Sequence, residues 1–454
     1  MTNNSTSEKR GNFTGKLGFV LAAAGSAVGL GNIWRFPYLA AEYGGGIFLL
    51  VYLILAVTLG FALMSAEILI GRKTGLSAIG AFKKLDKRFS FVGILASIVP
   101  AIILPYYCVI GGWVAKYIAV FATGKSHAAA GDEYFGNFIS GTAQPIGWFL
   151  VFLGLTALVV LFGVEKGVER VSKVMMPLLV IMIIGVTVYI LCQPGAIEGV
   201  KYYLIPDFKH FKATTILAAM GQLFYSMSLA MGIMITYGSY MKKDVNVESS
   251  VHNIEIFDTG IAFLAGLMIV PAVTASGADM GKGPGLMFAV LPKVFDGMTG
   301  GVVIGLVFFV LVFFAAITSS ISLMETVVSI VKDKFKVSRT VSCILVFVLC
   351  LVLGIPSALS NGGILSSVKI IGLGFLDFFD FISNSVLMPI VALITCLFIG
   401  YFLKPKTLIE EAELEGNKFK QKGLFTVVIK YIAPICIVLI LGFSVLEALG
   451  VIKV

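Results

Sequence analysis

Four acidic side chains interrupt otherwise apolar stretches of this sequence, and they are the first residues that could do chemistry. They are Glu67, Asp258, Glu325 and Asp380. If these stretches cross a membrane, each charge near the centre costs at least ~2.5 kcal/mol unless it is paired or hydrated, which makes each acid a candidate functional residue. Asp258 is the deepest of them, and a carboxylate suits a hard cation. The alternative for Asp258 is a hydrogen-bonded acid with a structural role.

The stretch GSAVGLGN, from Gly25 to Asn32, could bind a ligand through backbone groups instead of side chains. Its glycines loosen a helix in the middle of an apolar segment, and an opened helix presents free carbonyl oxygens. Gly25 and Gly29 also fit the small-xxx-small pattern of a helix-packing face, which is the alternative interpretation.

A matching interruption, SMSLAMG from Ser226 to Gly232, lies five helices later. Two interrupted helices at corresponding positions are typical of a transporter built from inverted repeats. An opened helix offers half-helix N-termini to a carboxylate and carbonyl oxygens to a cation. The two interruptions therefore predict a site for a zwitterion that travels with sodium.

Other kinds of site find little support in the sequence. The cysteines lack the close pairing of a zinc site, so we expect reduced packing residues; they are Cys108, Cys192, Cys343, Cys350, Cys396 and Cys436. His127, His210 and His252 are isolated from one another, and no structural metal or organic cofactor is expected. No nucleophile, base and orienting residue come together, and Glu325 alone is weak support for a membrane enzyme.

The elements that must position these residues are membrane-spanning helices. Of the 454 residues, 58% are hydrophobic and 13% are charged, and the mean hydropathy is +0.99, too few charges to cover a water-facing surface. Crossing a hydrocarbon core takes about 20 helical residues. Apolar segments of that kind predict about eleven helices: 16–40, 46–71, 90–123, 146–163, 168–192, 214–240, 250–275, 299–331, 340–356, 370–402 and 424–449. Since no alternating strands are present, we expect an all-α multi-pass protein of the cell membrane.

The loops between these segments predict the orientation of the chain. Basic residues concentrate on one side, at Arg72, Lys73, Lys83, Lys84, Lys87, Arg88, Lys166, Arg170, Lys242, Lys243, Lys332, Lys334, Lys336, Arg339, Lys404 and Lys406. That side is expected to face the cytoplasm, with the N-terminus inside and Val454 outside. The net charge of +9 is therefore explained by basic loops on one side of the membrane, and it does not indicate nucleic-acid binding. The longer outer segments, 124–145, 193–213 and 277–298, fit either lids or plain connectors.

On these residues the sequence resembles the neurotransmitter:sodium symporter family, most closely its bacterial amino-acid members. The resemblance runs from Arg10 to about residue 400. Its most specific pieces are GSAVGLGNIWRFP from Gly25, GGG from Gly44, Gly221-Gln222, AAITSS from Ala315 and LDFFD from Leu376.

The resemblance implies two five-helix inverted repeats with discontinuous first and sixth helices, at 1–205 and 206–403. The remainder, 404–454, would be a loop and an additional helix. The resemblance also implies two sodium sites with oxygen ligands, as a hard cation requires. The first would use Ala27, Asn32, Ser226, Asp258 and the substrate carboxylate, and the second would use Gly25, Val28, Ala315, Thr318 and Ser319.

The resemblance implies a substrate pocket formed by Ser26, Ala27, Gly29, Ile103, Tyr107, Tyr225, Ser226, Ser228, Met231, Ser319 and Leu323. Tyr107 would bind the substrate carboxylate, and hydroxyls and carbonyls of the sixth helix would bind the ammonium. The pocket has no acid near Ser26, which favours neutral, hydrophobic or aromatic L-amino acids over monoamines. The flexible side chain of Met231 suits substrates of different size.

Gates and coupling follow from the same resemblance. Arg35 and Asp380 would close the outer path above Tyr225, and Arg10 and Asp333 would close the inner path near Tyr240; either pair fits a static salt bridge as well. Gly167 and Pro177 match a spacing that lets the fifth helix unwind.

Asp258 stands where the family often has Asn, so its charge predicts transport without chloride and leaves proton coupling on the return step open.

The rival functions are a channel, which would need a continuous polar pore, and a proton-coupled amino-acid carrier of related fold. Such a carrier would lack the paired hydroxyls of Thr318 and Ser319.

Overall fold

The structure, a computed structural model, describes residues 11–278 and 283–448. Within these residues it is all-helical, and the only β pairing consists of isolated bridges such as Gly45 with Pro206. Nine helices of the described residues are long and apolar enough to cross a membrane, and a tenth span is formed by a bent helix pair. The all-α prediction is confirmed. Arg10 and Val454, which carry predictions about a gate and the orientation, lie outside the described residues.

Each predicted apolar segment has a helical counterpart, and we number these as spans 1 to 11. Spans 1 to 5 are Lys16–Ala27 with Gly31–Glu42, Gly46–Thr74, Lys87–Ala122, Ala143–Leu161 and Val164–Leu191. Span 6 is Ala213–Ser226 with Ile233–Gly238. Spans 7 to 11 are Val247–Ser276, Gly301–Phe335, Arg339–Leu359, Phe375–Leu403 and Lys422–Phe443.

Span 1 breaks where the glycines predict it. The first half ends at Ala27, the second begins at Gly31, and the halves are bent by 54°. Asn32 stabilises the new helix start because its side-chain oxygen accepts a hydrogen bond of 2.9 Å from the Gly29 N–H. The segment is therefore a true interruption and not only a packing face.

Span 6 breaks between Ser226 and Ile233, and its backbone is unusual there. Ser228, Ala230 and Gly232 have positive φ angles of 54°, 60° and 68°. Such φ angles are uncommon for residues other than glycine, so neighbouring groups must hold this turn in place. Its two helices have 14 and 6 residues, and neither alone could cross a bilayer.

The first half of span 1 packs among several other spans of the bundle. The first half of span 1 packs against spans 5, 7 and 8, and span 8 packs against spans 3, 4, 5 and 9. Span 5 begins with a π-helical turn, Val164–Glu169, and continues as a helix through Pro177 to Leu191. The unwinding implied by Gly167 and Pro177 is thus absent from this conformation.

The segments that the sequence analysis places on the outer side contain short helices. These are Ser126–Ala129, Tyr134–Ser140, Ala196–Leu204, a π-helical turn at Leu286–Val290 and Leu291–Asp296. Phe135 stacks on Phe288 with ring centroids 5.1 Å apart, and Phe288 meets Trp34 edge-on at 6.4 Å. Two of these segments therefore pack together above the break in span 1.

The other helices outside the spans are Ala78–Leu85 and Pro405–Ala412, with short 3-10 turns at Phe208–His210 and Leu414–Gly416. Both helices lie at the end of the bundle that carries the basic loops. One boundary differs by five residues from the predicted start at 370, because Ile370 and Leu373 pair in a tight turn and span 10 begins at Phe375.

Candidate functional site

A cavity lies between the two helix breaks. All eleven residues of the predicted substrate pocket line it, together with Leu30, Gly31, Asn32, Ile233 and Ser322. Its apolar wall comes from Ile103, Met231, Ile233 and Leu323. Ser322 and Ile233 were not among the predicted pocket residues, because the positions carried over from the family resemblance did not include them. Among the residues that the structure describes, no acidic side chain lines this cavity.

Two glycines allow the opened backbone to approach its neighbours. A Cβ atom on Gly29 would lie 2.7 Å from the Ser319 hydroxyl and 2.9 Å from the Tyr107 hydroxyl, and one on Gly31 would lie 2.6 Å from the Tyr225 ring. The Tyr107 hydroxyl accepts a hydrogen bond of 3.3 Å from the Leu30 N–H. Tyr107 therefore sits at the N-terminus of the second half of span 1, where partial positive charge favours an anion.

Serine hydroxyls join span 1 to spans 6 and 8 on the other side of the cavity. The Ser26 and Ser322 hydroxyls lie 2.7 Å apart, and Ser26 donates to the Ser228 hydroxyl at 3.2 Å. Ser228 in turn donates to the Ser26 carbonyl at 3.0 Å. These buried groups satisfy one another and give this wall polar oxygens.

Three residues of the first predicted sodium site, Asn32, Ser226 and Asp258, are adjacent. The Asn32 amide lies 2.7 Å from an Asp258 carboxylate oxygen and 3.0 Å from the Ser226 hydroxyl. Ser226 donates to the same Asp258 oxygen at 2.8 Å. The other Asp258 oxygen accepts a hydrogen bond of 3.2 Å from Tyr52. Tyr52 was not predicted, because its sequence position in span 2 gives no sign of this contact.

The residues of the second predicted site also converge. The Ser319 hydroxyl lies 3.4 Å from the Gly25 carbonyl and 3.1 Å from the Val28 carbonyl, and the Thr318 hydroxyl lies 3.1 Å from the Ala315 carbonyl. The Cβ of an alanine at Gly25 would approach Thr318 Cβ to 3.2 Å. This set of neutral oxygens matches the ligands that a hard cation prefers.

Glu67 supports the turn of span 6 from span 2. One of its carboxylate oxygens accepts a hydrogen bond of 2.6 Å from the Ala230 N–H, and the other has no hydrogen-bond partner among the described residues. The carboxylate therefore holds Ala230 in place, and the positive φ angle of Ala230 is unusual for an alanine. The sequence singled out Glu67 as a buried acid, but it could not predict this contact.

The two residues of the predicted outer gate line a separate vestibule above the cavity, together with Tyr106 and Tyr225. The Arg35 guanidinium lies 5.2 Å from the centroid of the Tyr225 ring. Asp380 instead accepts hydrogen bonds from Tyr106 at 3.1 Å and Asn384 at 2.7 Å. The two charges share the vestibule without forming a direct ion pair among the described contacts.

Of the residues predicted for the inner gate, Asp333 and Tyr240 have partners among the described residues. The Asp333 carboxylate accepts hydrogen bonds from the Ser77 N–H at 3.0 Å and its hydroxyl at 2.6 Å. Tyr240 donates to Glu325 at 2.8 Å, and Arg339 pairs with the same buried carboxylate. The sequence did not predict the Glu325 and Arg339 pair.

The chain matches the model of the sodium:neurotransmitter symporter family over residues 10–134 and 140–451. It belongs to that family. The symporter is therefore a sodium-dependent membrane transporter and not an enzyme, which confirms the resemblance seen in the sequence.

Similar proteins support the same classification. An uncharacterized sodium-dependent transporter of Bacillus subtilis, YhdH, is 38% identical over 94% of the symporter and 95% of its own length. An uncharacterized sodium-dependent transporter of Haemophilus influenzae is 31% identical over 97% and 99% of the two chains. The crystal structure of MhsT in complex with L-phenylalanine superposes with a TM-score of 0.87 and 40% identity, covering 96% of the symporter and 99% of MhsT.

The contact between Glu67 and Ala230 gives a test of how the span 6 turn is held. We expect Glu67→Ala to lower the free energy of unfolding by about 1 to 3 kcal/mol, because it leaves a buried N–H without an acceptor. Glu67→Gln keeps an acceptor oxygen and should restore most of that loss in thermal unfolding of the detergent-purified protein. Ser65→Ala is the matched control, since the Ser65 hydroxyl has no hydrogen-bond partner among the described residues. Equal loss in Glu67→Gln and Glu67→Ala would contradict this role.

Proposed function

We propose that the symporter carries neutral, hydrophobic or aromatic L-amino acids together with two sodium ions, by alternating access and without chloride. The observation that supports this most is the cavity at the two helix breaks, which combines opened backbone, hydroxyl groups and an apolar wall without an acid. The complex of MhsT with L-phenylalanine is consistent with a substrate of this class.

The cavity would orient a zwitterion by binding its carboxylate at one place and its ammonium group at another. The substrate carboxylate would face Tyr107 and the N-terminus of the second half of span 1, where the helix dipole is favourable. The ammonium would face the hydroxyls of Ser226 and Ser228 and the free carbonyls of the breaks. The side chain would lie against the apolar wall, and an amine without a carboxylate would find no acid to pair with.

The two ions would lie on either side of the break in span 1. The first would bind Ala27, Asn32, Ser226 and Asp258 with the substrate carboxylate, and the second would bind Gly25, Val28, Ala315, Thr318 and Ser319. At both places hydroxyls now donate to oxygens that an ion would contact, so these hydroxyls would turn when it binds.

Alternating access would involve the two repeats, 1–205 and 206–403, with 404–454 as an additional part. The N-terminus would face the cytoplasm and the C-terminus the outside. The vestibule with Arg35, Tyr225 and Asp380 would close the outer path. Asp333 and Tyr240, with Arg10, would close the inner path.

Uptake into proteoliposomes tests the proposed function directly. With an inward sodium gradient, we expect accumulation of radiolabelled L-phenylalanine or L-leucine, and competition by other hydrophobic amino acids but not by monoamines. An inward proton gradient without sodium is the control for the rival proton-coupled carrier. Accumulation driven by protons alone, or no sodium-dependent accumulation of any neutral amino acid, would refute the proposal.

Thr318 gives a test of the second ion site. Thr318→Val keeps the shape of the side chain but removes a ligand oxygen, and a hydrogen-bonding group lost from a charged partner costs about 1.5 to 3 kcal/mol. We therefore expect the sodium concentration for half-maximal uptake to rise roughly tenfold or more. Thr326→Val is the control in the same span, because the Thr326 hydroxyl donates to the Ser322 carbonyl at 2.8 Å and to no other described residue. A similar shift in both variants would argue against a local ion site.

Asp258 gives a test of chloride independence. Its fixed charge would balance the sodium and substrate charges, so we expect wild-type uptake to be unchanged when chloride is replaced by gluconate. Asp258→Asn removes that charge, and its residual uptake should be slow and stimulated by chloride. Full-rate uptake by Asp258→Asn that remained insensitive to chloride and pH would contradict this role.

A further inference from the structure

A second, unassigned cleft lies between the end of span 10 and span 11, at the end of the bundle that carries the basic loops. It is lined by Gly400, Tyr401, Lys404, Pro405, Lys406, Ile409, Thr426 and Lys430. We propose that this cleft binds the headgroup phosphate of an anionic membrane phospholipid.

The charge of the cleft favours an anion. Three lysines and no acid line it among the described residues, and the Glu410 carboxylate lies 3.8 Å from the Lys406 amine on an exposed surface. Lys404 and Lys430 have no carboxylate within ion-pair distance among the described residues. The basic loops are expected on the cytoplasmic side. Basic pockets between transmembrane helices on that side are typical binding sites of anionic headgroups.

Lys430 lies in a membrane-spanning helix and not in a surface loop. It lies inside span 11, eight residues after its start at Lys422, where an ionisable residue is costly and marks a functional candidate. Its amine lies 5.7 Å from the ring centroid of Tyr401 and 5.6 Å from that of Tyr431. The two rings stabilise the cation by contact with their faces and leave its hydrogen-bond donors for another partner.

The backbone around the cleft is shaped to bring Lys430 to span 10. Both spans form π-helical turns there, Phe398–Leu403 and Val428–Ile432, and such turns are rare and frequently occur at functional sites. A Cβ atom on Gly400 would lie 3.3 Å from Lys430 Cγ. The Tyr401 hydroxyl donates to the Lys430 carbonyl at 2.9 Å. The approach is therefore built by specific contacts between the two spans.

The surroundings favour a lipid over a soluble phosphate. The exposed hydrophobic residues next to the cleft continue along the outer face of span 11: Tyr431, Ile432, Ile435, Val438 and Leu439. Acyl chains would cover this face while the phosphate contacts the lysines.

Native mass spectrometry of the purified full-length protein tests this site. We expect one dioleoylphosphatidylglycerol to be retained in preference to dioleoylphosphatidylcholine. Lys404→Gln with Lys430→Gln should bind it roughly 30-fold more weakly, which is about 2 kcal/mol at 1.4 kcal/mol per tenfold. The matched control is Lys418→Gln with Lys420→Gln, which removes the same charge from exposed residues outside the cleft. Lys430→Arg should retain the lipid.

Three results would overturn the proposal. One is equal weakening in the two double variants, which would indicate general surface charge. Another is equal retention of the two lipids. The third is displacement of phosphatidylglycerol by millimolar inorganic phosphate, which would indicate a site for a free anion. If the double variant does not fold, Lys404→Gln alone changes an exposed residue and should weaken binding roughly fivefold.

Discussion

The structure depends on satisfying the backbone that two broken helices expose inside an apolar bundle, where an unpaired N–H or carbonyl is costly. Side chains from neighbouring elements meet this need. Asn32 accepts from Gly29, Tyr107 accepts from Leu30, and Gln222 donates to the Gly31 carbonyl at 2.9 Å. Glu67 meets the same need for span 6. The groups that remain available for a ligand are mainly carbonyl oxygens beside serine and threonine hydroxyls.

This constraint explains which parts could be predicted from sequence. The breaks have a local cause, since glycines at Gly25, Gly29 and Gly31 weaken one helix, and their positions were predicted to within a few residues. The long apolar spans have a local cause as well, because hydrocarbon thickness sets their length. The predicted pocket residues came from the family resemblance, and the structure brings them to one cavity.

The contacts that the sequence did not predict are those that join distant elements without a motif. Tyr52 reaches Asp258 across 206 residues, and Glu67 reaches Ala230 across 163. The presence of a tyrosine or a glutamate in an apolar span does not indicate which distant residue it will contact. The charged residues show the same limit, because Arg35 and Asp380 share a vestibule while each contacts other side chains there. Sequence places such charges near one another, but competing hydrogen-bond partners decide which contacts form.

The proposed coupling follows from how the two ion sites share the broken span. The first proposed site would use Ala27 and the second would use Gly25 and Val28, so both would hold neighbouring peptide units of the break, where Ser26, Ala27 and Gly29 line the cavity. Ser319 adds a link, since its hydroxyl lies 3.1 Å from the Val28 carbonyl and it also lines the cavity. A ligand that orders these peptides would reduce the conformational entropy that the next ligand must lose. Sodium and substrate would therefore favour each other's binding even where they do not touch.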